Sequence, residues 1–396
     1  MNILFLTHVY PYPPDDGGKI GTFNILKEDY KLGNKIFLVT FCPGPVETKE
    51  LDQYTKIYSI IKNTKNNYWG MLINLWQRMP YNLQKYQDHR VNVKINEIFH
   101  QEKIDIVFVD HLHMAIYGKY IKDHYPSVPL VLRQHNVESV IMERFYQNQQ
   151  NVLIKIYAKH QYRKLFRFES EIVELFDQCL MVTDTDTERM REMNPQVKAI
   201  TVPAGVDIEK YQPVKLQEIP QSISFVGGMN WLPNEDGVLW FTDKIFPQIK
   251  LQIPGVKFYI VGKNPSVNIK NLQHDPNIIV TGYVEDERAY IAQANVFIVP
   301  LRVGGGIRIK ILNAMAMGKC IVSTSVGAEG INLVNNSDII IEDEPERFAS
   351  SIVTLLNNEQ ERVRIGLHAI QTVRKYYSWE SIIRELNEEY QRLVKR

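Results

Sequence analysis

Short apolar runs alternate along the chain with longer segments in which apolar residues recur every three or four positions. The runs Ile3–Thr7, Ile36–Phe41, Ile104–Val109, Leu130–Arg133 and Gln178–Val182 form one series. Ile223–Val226, Lys257–Val261, Ile278–Val280, Val296–Val299 and Cys320–Ser323 form a second. Helical periodicity lies between them, as in Val238–Phe246, Glu287–Gln293 and Ile309–Met317. Strand-length runs separated by helical patterns predict parallel sheets with helices on both faces. Two series predict two doubly wound α/β domains. The stretch Val202–Gln221 holds three prolines and little periodicity, so the seam is placed there. The expected division is residues 1–205 and 206–377, with a Glu- and Arg-rich helix at 378–396 packing back.

Composition narrows the function. A chain of 396 residues is too long for one ordinary core and suits two. Lys and Arg number 46 against 45 Asp and Glu, a balance that argues against a general nucleic-acid binder. Cys42, Cys179 and Cys320 are far apart and include no CxxC pair, which suits a reducing cytosol better than a disulfide framework or a zinc site. The opening MNILFLTHVYPYPP reads as a buried first strand and not as a secretory leader. No apolar stretch is long enough to span a bilayer.

Ligands of open α/β sheets bind beyond the carboxyl ends of the strands, so loops there carry most weight, and two facing domains predict a site in a central cleft. The segment Asn295–Gly330 reads NVFIVPLRVGGGIRIKILNAMAMGKCIVSTSVGAEG. A strand gives way to Gly304, Gly305 and Gly306, then to a helix, with Arg308 and Lys310 at the handover and Gly327 and Gly330 after the next strand. Glycines admit close approach of a ligand, and a helix start favours an anion. The combination points to a phosphate site; a turn with two solvated cations is the plainer alternative. A second glycine loop, Asp15-Asp16-Gly17-Gly18-Lys19, follows the first strand.

These segments resemble the GT4-type (group 1) retaining glycosyltransferases of GT-B fold, in the subgroup reading GGGTRLKILEAMAMGKPVVSTSVGAEG. SFVGGMNWLPNEDGVLWF is similar to the start of that subgroup's donor domain, YPYPPDDGGKIGTFN to its N-terminal glycine loop and LRQHNVES to its HN loop. VPAGVD is similar to its hinge and YYSWES to its final element. The resemblance runs nearly end to end. It implies an N-terminal acceptor domain, a C-terminal donor domain, a nucleotide-diphosphate sugar as co-substrate with no other cofactor and no metal, and retention at the anomeric carbon. It also implies donor contacts from Gly17, Gly18, Gly227, Gly228, Gly304–Gly306, Ile307, Asn313, Gly327, Ala328 and Glu329. Lys19, His111, His113 and Asn136 would lie on the acceptor side. His135 would line the site near the acceptor hydroxyl or sugar, where an imidazole that titrates near neutrality polarises a hydroxyl.

Two departures stand out. The glutamates that many relatives carry eight positions apart are Gly305 and Asn313 here, and the second replacement removes a charged acceptor for the ribose hydroxyls. The segment Gly227-Gly228-Met229-Asn230 also lacks the Arg and Lys common after the first donor-domain strand, which leaves Arg308 and Lys310 to meet the diphosphate. A binding subunit without turnover, or a GT-B-like epimerase or phosphorylase, is the alternative. Asp184-Thr185-Asp186 reads as a helix cap and not as a metal-binding DxD. His111 and His113 have no evident further ligand and read as acceptor contacts or loop packing. Lys155, Lys159, Arg163 and Arg167 form a stripe on a helix, and Trp69 and Trp76 flank an apolar stretch. A solvated face is the ordinary reading; peripheral contact with anionic lipid at the inner membrane face, where a lipid-linked acceptor waits, is the functional one.

Overall fold

The computed structural model describes residues 1–14, 17–45, 50–149, 151–304 and 307–395. They fall into two compact units, Met1–Pro203 with Ile383–Arg396, and Ala204–Ile382.

The first unit is built on a seven-stranded parallel sheet in the order β3-β2-β1-β4-β5-β6-β7. Its strands are β1 Asn2–Thr7, β2 Lys35–Cys42, β3 Lys56–Ile61, β4 Ile106–Asp110, β5 Leu130–Gln134, β6 Gln178–Met181 and β7 Ala199–Thr201. Ile3 to Leu6 and Ile106 to Val109 are fully buried, because the central strands are covered on both faces. The helix Trp379–Val394 adds Ile383, Leu386, Tyr390 and Leu393 to this core from one face, and the Tyr390 ring meets Phe108 edge-on at 6.0 Å.

The second unit carries six parallel strands in the order β10-β9-β8-β11-β12-β13. These are β8 Ser222–Val226, β9 Lys257–Val261, β10 Ile278–Gly282, β11 Val296–Val299, β12 Ile321–Ser323 and β13 Ile340–Ile341. Phe225, Phe241, Phe246, Phe258, Phe297 and Phe348 fill its core. Both sheets are doubly wound α/β structures. Strand order reverses between β1 and β4 in one and between β8 and β11 in the other, and such reversals open crevices at the strands' carboxyl ends.

Three strands escaped the sequence pattern: β3, β7 and β13. All lie at or next to a sheet edge, and β3 exposes most of its length, so no continuous apolar run marks them. The helix expected at Val238–Phe246 starts earlier, at Leu232, and passes through a π turn at Phe241–Ile245 before ending at Gln252.

Candidate functional site

In the first unit, three adjacent strands each hand over to a histidine. β1 is followed by His8, β4 by His111 and β5 by His135. His113 joins them from the 3-10 turn Leu112–Tyr117. The rings pack on one another. His111 stacks on His135 at 3.8 Å and His8 on His113 at 4.3 Å, while Tyr86 meets His8 edge-on at 5.1 Å. His111 adopts φ 74 and ψ 144, and its N–H donates to the Arg133 carbonyl at 2.8 Å. That conformation is strained for any residue with a Cβ.

Beneath the rings lies Asp110, fully buried at the end of β4. Its carboxylate accepts from the Thr22 hydroxyl and, at 3.2 Å, from Arg133 Nη1. Burial alone would raise its pKa, but His111, Arg133 and His135 outweigh burial and hold it well below the usual carboxylate range. Burial keeps His8 and His111 neutral far below 6.5 and, with Lys85 nearby, lowers His113 to about 4.

His135 Nε2 lies 2.9 Å from Arg133 Nη1 and 3.2 Å from Asp110 Oδ1. The guanidinium only donates and the carboxylate only accepts, so Nε2 accepts from Arg133 in one protonation state and donates to Asp110 in the other. His135 is thereby held at the end of β5, over the buried Asp110. The sequence reading found no further ligand for His111 and His113; His8 corrects it, since one nitrogen of each of the three lies within 4.8 Å of the others. Asp110, His111 and His135 form a second such group, and Lys85 lowers the pKa of both His8 and His113.

Around this cluster, Lys19 lies in the first turn of the helix Gly17–Lys31 and, with His8, Tyr10, Tyr12 and Lys62, lines a cavity of about 380 Å³. Gly17 and Gly18 open the same helix; Asp15 and Asp16 lie outside the described residues. Asn136 is exposed at the start of the loop that leads to the helix Glu138–Asn148. Glu169 accepts from the backbone N–H groups of Glu138 and Ser139 at 3.0 and 2.9 Å, capping that helix from the neighbouring helix Val152–Ile172. Burial pushes the Glu169 and Glu138 carboxyls up to about 7. Asp110, Arg133, His8 and Glu169 were missed in the sequence. For the first three, the strand-end position was the available signal; Glu169 left none, being 31 residues from its partner Glu138.

In the second unit, Gly227 and Gly228 follow β8; Gly227 faces Lys310 in the first turn of the helix Ile309–Ala316, and Gly228 lies beside Asn230 and Lys263. A Cβ on Gly227 would lie 2.5 Å from Lys310 Nζ and 2.7 Å from Asn234 Nδ2, so a side chain there would displace the lysine. Lys310 is turned inward, donating to Asn234 Oδ1 at 2.8 Å with its Nζ 4.1 Å from the centre of the Phe225 ring. Burial, reinforced by Arg308, lowers its pKa to about 7. Arg308 is only 4% exposed, and its guanidinium lies over Trp231 at 5.7 Å. Burial lowers its pKa too, opposed by the nearby Glu329. The alternative of two solvated cations is therefore set aside. Gly304, at φ 132, passes so close that a Cβ would sit 2.8 Å from Arg308 Nη2.

Gly305 and Gly306 lie outside the described residues. Ile307 packs against the core and Asn313 is half-buried one turn into the helix. Gly327 is buried: its N–H donates to Thr324 Oγ1 at 2.9 Å, and a Cβ would meet the Val299 carbonyl at 2.5 Å. Ala328 is likewise a core residue, so only its backbone is available. A wider cavity of about 1100 Å³, beside Trp240, Lys250 and Leu272, includes none of these glycines or cations. The DTD segment opens the helix Asp184–Met193; Thr183 caps it, and Asp186 and Asp184 accept from Thr183 and Thr201.

Residues 220–358 match the family model described as glycosyl transferases group 1. Over 392 residues the chain is 22% identical to an uncharacterized 44.6 kDa protein in the cps region of Klebsiella pneumoniae, covering 96% of this chain and 97% of that one. Among solved structures, sucrose-phosphate synthase from Thermosynechococcus elongatus superposes with a TM-score of 0.69 at 14% identity, over 100% of this chain and 99% of that one. Anabaena HepE in complex with UDP gives 0.67 at 14% identity, over 99% and 100%. The fold is GT-B, and the segment similar to the group 1 glycosyl transferases lies within the second unit.

Proposed function

We propose that the protein is a retaining, metal-independent glycosyltransferase of the GT4 type. It would move a sugar from a nucleotide-diphosphate sugar to a hydroxyl of a carbohydrate or lipid-linked acceptor in the cytoplasm. One observation carries the reading: two cations, the buried Arg308 and the inward-turned Lys310, lie against Gly304 and Gly227 at a helix start inside the segment matched by the family model. The HepE structures hold UDP and UDP-glucose, which makes UDP-sugars the first donors to try. A relative from a cps region supports a place in surface polysaccharide synthesis.

Breaking the anomeric bond leaves negative charge on the departing nucleotide diphosphate. A helix N-terminus carries only about half a positive charge, so most of the compensation falls to side chains. An incoming diphosphate restores the proton that burial takes from Lys310, and Arg308 is held over Trp231 for paired hydrogen bonds. Such stabilisers are worth roughly 10²–10³ in rate. His8, His111, His113 and His135, neutral or engaged over Asp110, would orient acceptor and sugar hydroxyls. The leaving phosphate would take the acceptor proton.

The test is turnover and UDP affinity for Arg308→Ala, Lys310→Ala and the double variant, each checked by melting temperature, with and without EDTA. We expect at least a hundredfold loss in the folded double variant and no effect of EDTA on the wild type. Near-normal turnover in the double variant would overturn the clamp. Loss in EDTA with recovery on adding manganese would overturn the metal-free reading.

A further inference from the structure

The short helix Tyr68–Asn74 is built inside out. Its buried residue is polar: Asn74 is fully covered, accepting from Gln161 Nε2 at 2.9 Å. Its apolar residues point away. Tyr68 is 84% exposed, Trp69 74%, Leu72 51%, Ile73 61% and, just beyond, Trp76 84%. Positions 69, 72, 73 and 76 fall on one helical stripe, which ordinarily faces a core. The stripe is held rigidly in place. Lys164 Nζ and the His160 ring reach the carbonyls at the helix end, Lys164 to Asn74 at 2.6 Å and His160 to Leu75 at 3.0 Å. Both belong to the helix Val152–Ile172, whose first turns expose Val152, Leu153 and Ile156.

Charge singles out the same two segments. Residues 53–87 and 144–168 contain eleven Lys and Arg and no Asp or Glu. The whole chain has 46 and 45, so the remaining residues set 35 cations against 45 acids. Lys65, Arg78, Lys155, Lys159 and Arg163 are all exposed. The bounding acids are Asp52, Asp88, Glu143 and Glu169; Glu169 is buried as a helix cap and Asp88 is paired with Arg90.

We propose that this face is a docking surface for an anionic lipid bilayer. Tryptophans and aliphatic side chains insert to the headgroup–acyl boundary while the cations engage lipid phosphates. A self-complementary protein contact would need acids opposite these cations, and the two segments contain none; the neighbouring Glu171 and Asp88 are already paired, with Arg167 and with Arg90 and Lys62. Among the described residues no helix is long and apolar enough to cross a membrane, and the attachment proposed is peripheral. The docking is independent of the proposed chemistry; bringing a lipid-linked acceptor to the protein rests on that reading.

The experiment is co-sedimentation of the full chain, without nucleotide, with vesicles of phosphatidylcholine alone or with added phosphatidylglycerol. We expect binding only with the anionic lipid, weakened at least tenfold by high salt, and tryptophan quenching by brominated acyl chains. Trp69→Ser with Trp76→Ser should abolish quenching and most binding. Lys155→Glu with Lys159→Glu should weaken binding about tenfold or more, since each cation near such a surface contributes on the order of 1 kcal/mol. Each variant should keep the wild-type melting temperature and its turnover on a soluble acceptor. Equal binding to neutral vesicles, or wild-type binding by both folded variants, would overturn the proposal. So would a dimer in sedimentation velocity that the tryptophan changes dissociate. Failure of turnover with intact vesicle binding would strike the proposed function alone.

Discussion

His111 holds a conformation that favours glycine, yet it is the residue through which β4 delivers a ring to the cluster. Strain of this kind costs about 1–3 kcal/mol. We therefore expect His111→Gly to melt above His111→Ala by the equivalent of about 1 kcal/mol, although glycine is the costlier residue elsewhere, with turnover falling in both. An alanine variant as stable as the glycine one would show that the strain is absent. Lys310 offers a second check at this scale. Its folded pKa, about 7, lies far below the ordinary lysine value of about 10.4. The unfolded chain thus binds the extra proton between those values, and this group's contribution to stability rises with pH across that window. A bound diphosphate should return the proton. Calorimetry of UDP binding at pH 8 in buffers of different ionisation enthalpy should show proton uptake that disappears in Lys310→Ala. The positions of Arg308 and Lys310 were legible because they follow a glycine run. Their burial was not, because it depends on Trp231, Asn234 and Phe225, which come from another part of the chain.

At the scale of elements, central strands announced themselves and edge strands did not, because two-sided burial writes a continuous apolar run and one-sided burial does not. Helix ends were harder. The cap on Glu138–Asn148 comes from Glu169, on another helix, and no local pattern can reveal it. Glu169→Ala leaves one buried and one partly buried N–H group without an acceptor and should cost about 2 kcal/mol or more. Turnover should fall as well, since this helix follows directly on the His135 loop. Glu169→Gln separates charge from shape. The buried Glu138–Glu169 pair holds its protons up to about 7, above the unfolded value of about 4.3. Its contribution to stability is therefore greatest at low pH and declines as pH rises between those values. The glutamine variant should flatten that slope in melting temperature. An unchanged slope would place the titration elsewhere.

At the scale of the molecule, each sheet brings its chemistry to a reversal of strand order, and alternation of strand and helix was enough to expect this. The partition of charge was harder to see, since a formal net charge of +1 conceals two acid-free segments and an acidic remainder. The first unit is also discontinuous: Ile383, Leu386, Tyr390 and Leu393 complete a core begun by β1 and β4. A chain ending at Ile382 should lose several kcal/mol in that unit, because removing one buried tyrosine already costs roughly what a Phe→Ala change does, about 3–5 kcal/mol. Wild-type melting of the first unit in that truncation would show the helix to be dispensable. The same discontinuity has a consequence in time. On the ribosome, the first unit must wait for the whole of the second to be made before its last helix emerges, a delay of about 10–40 s at ordinary elongation rates. The groove awaiting Tyr390 stays uncovered for that interval. A cell that makes this protein therefore carries a nascent chain with one finished half and one unfinished half, and chaperone demand should track the slow translation of residues 204–382 more than any property of the folded product.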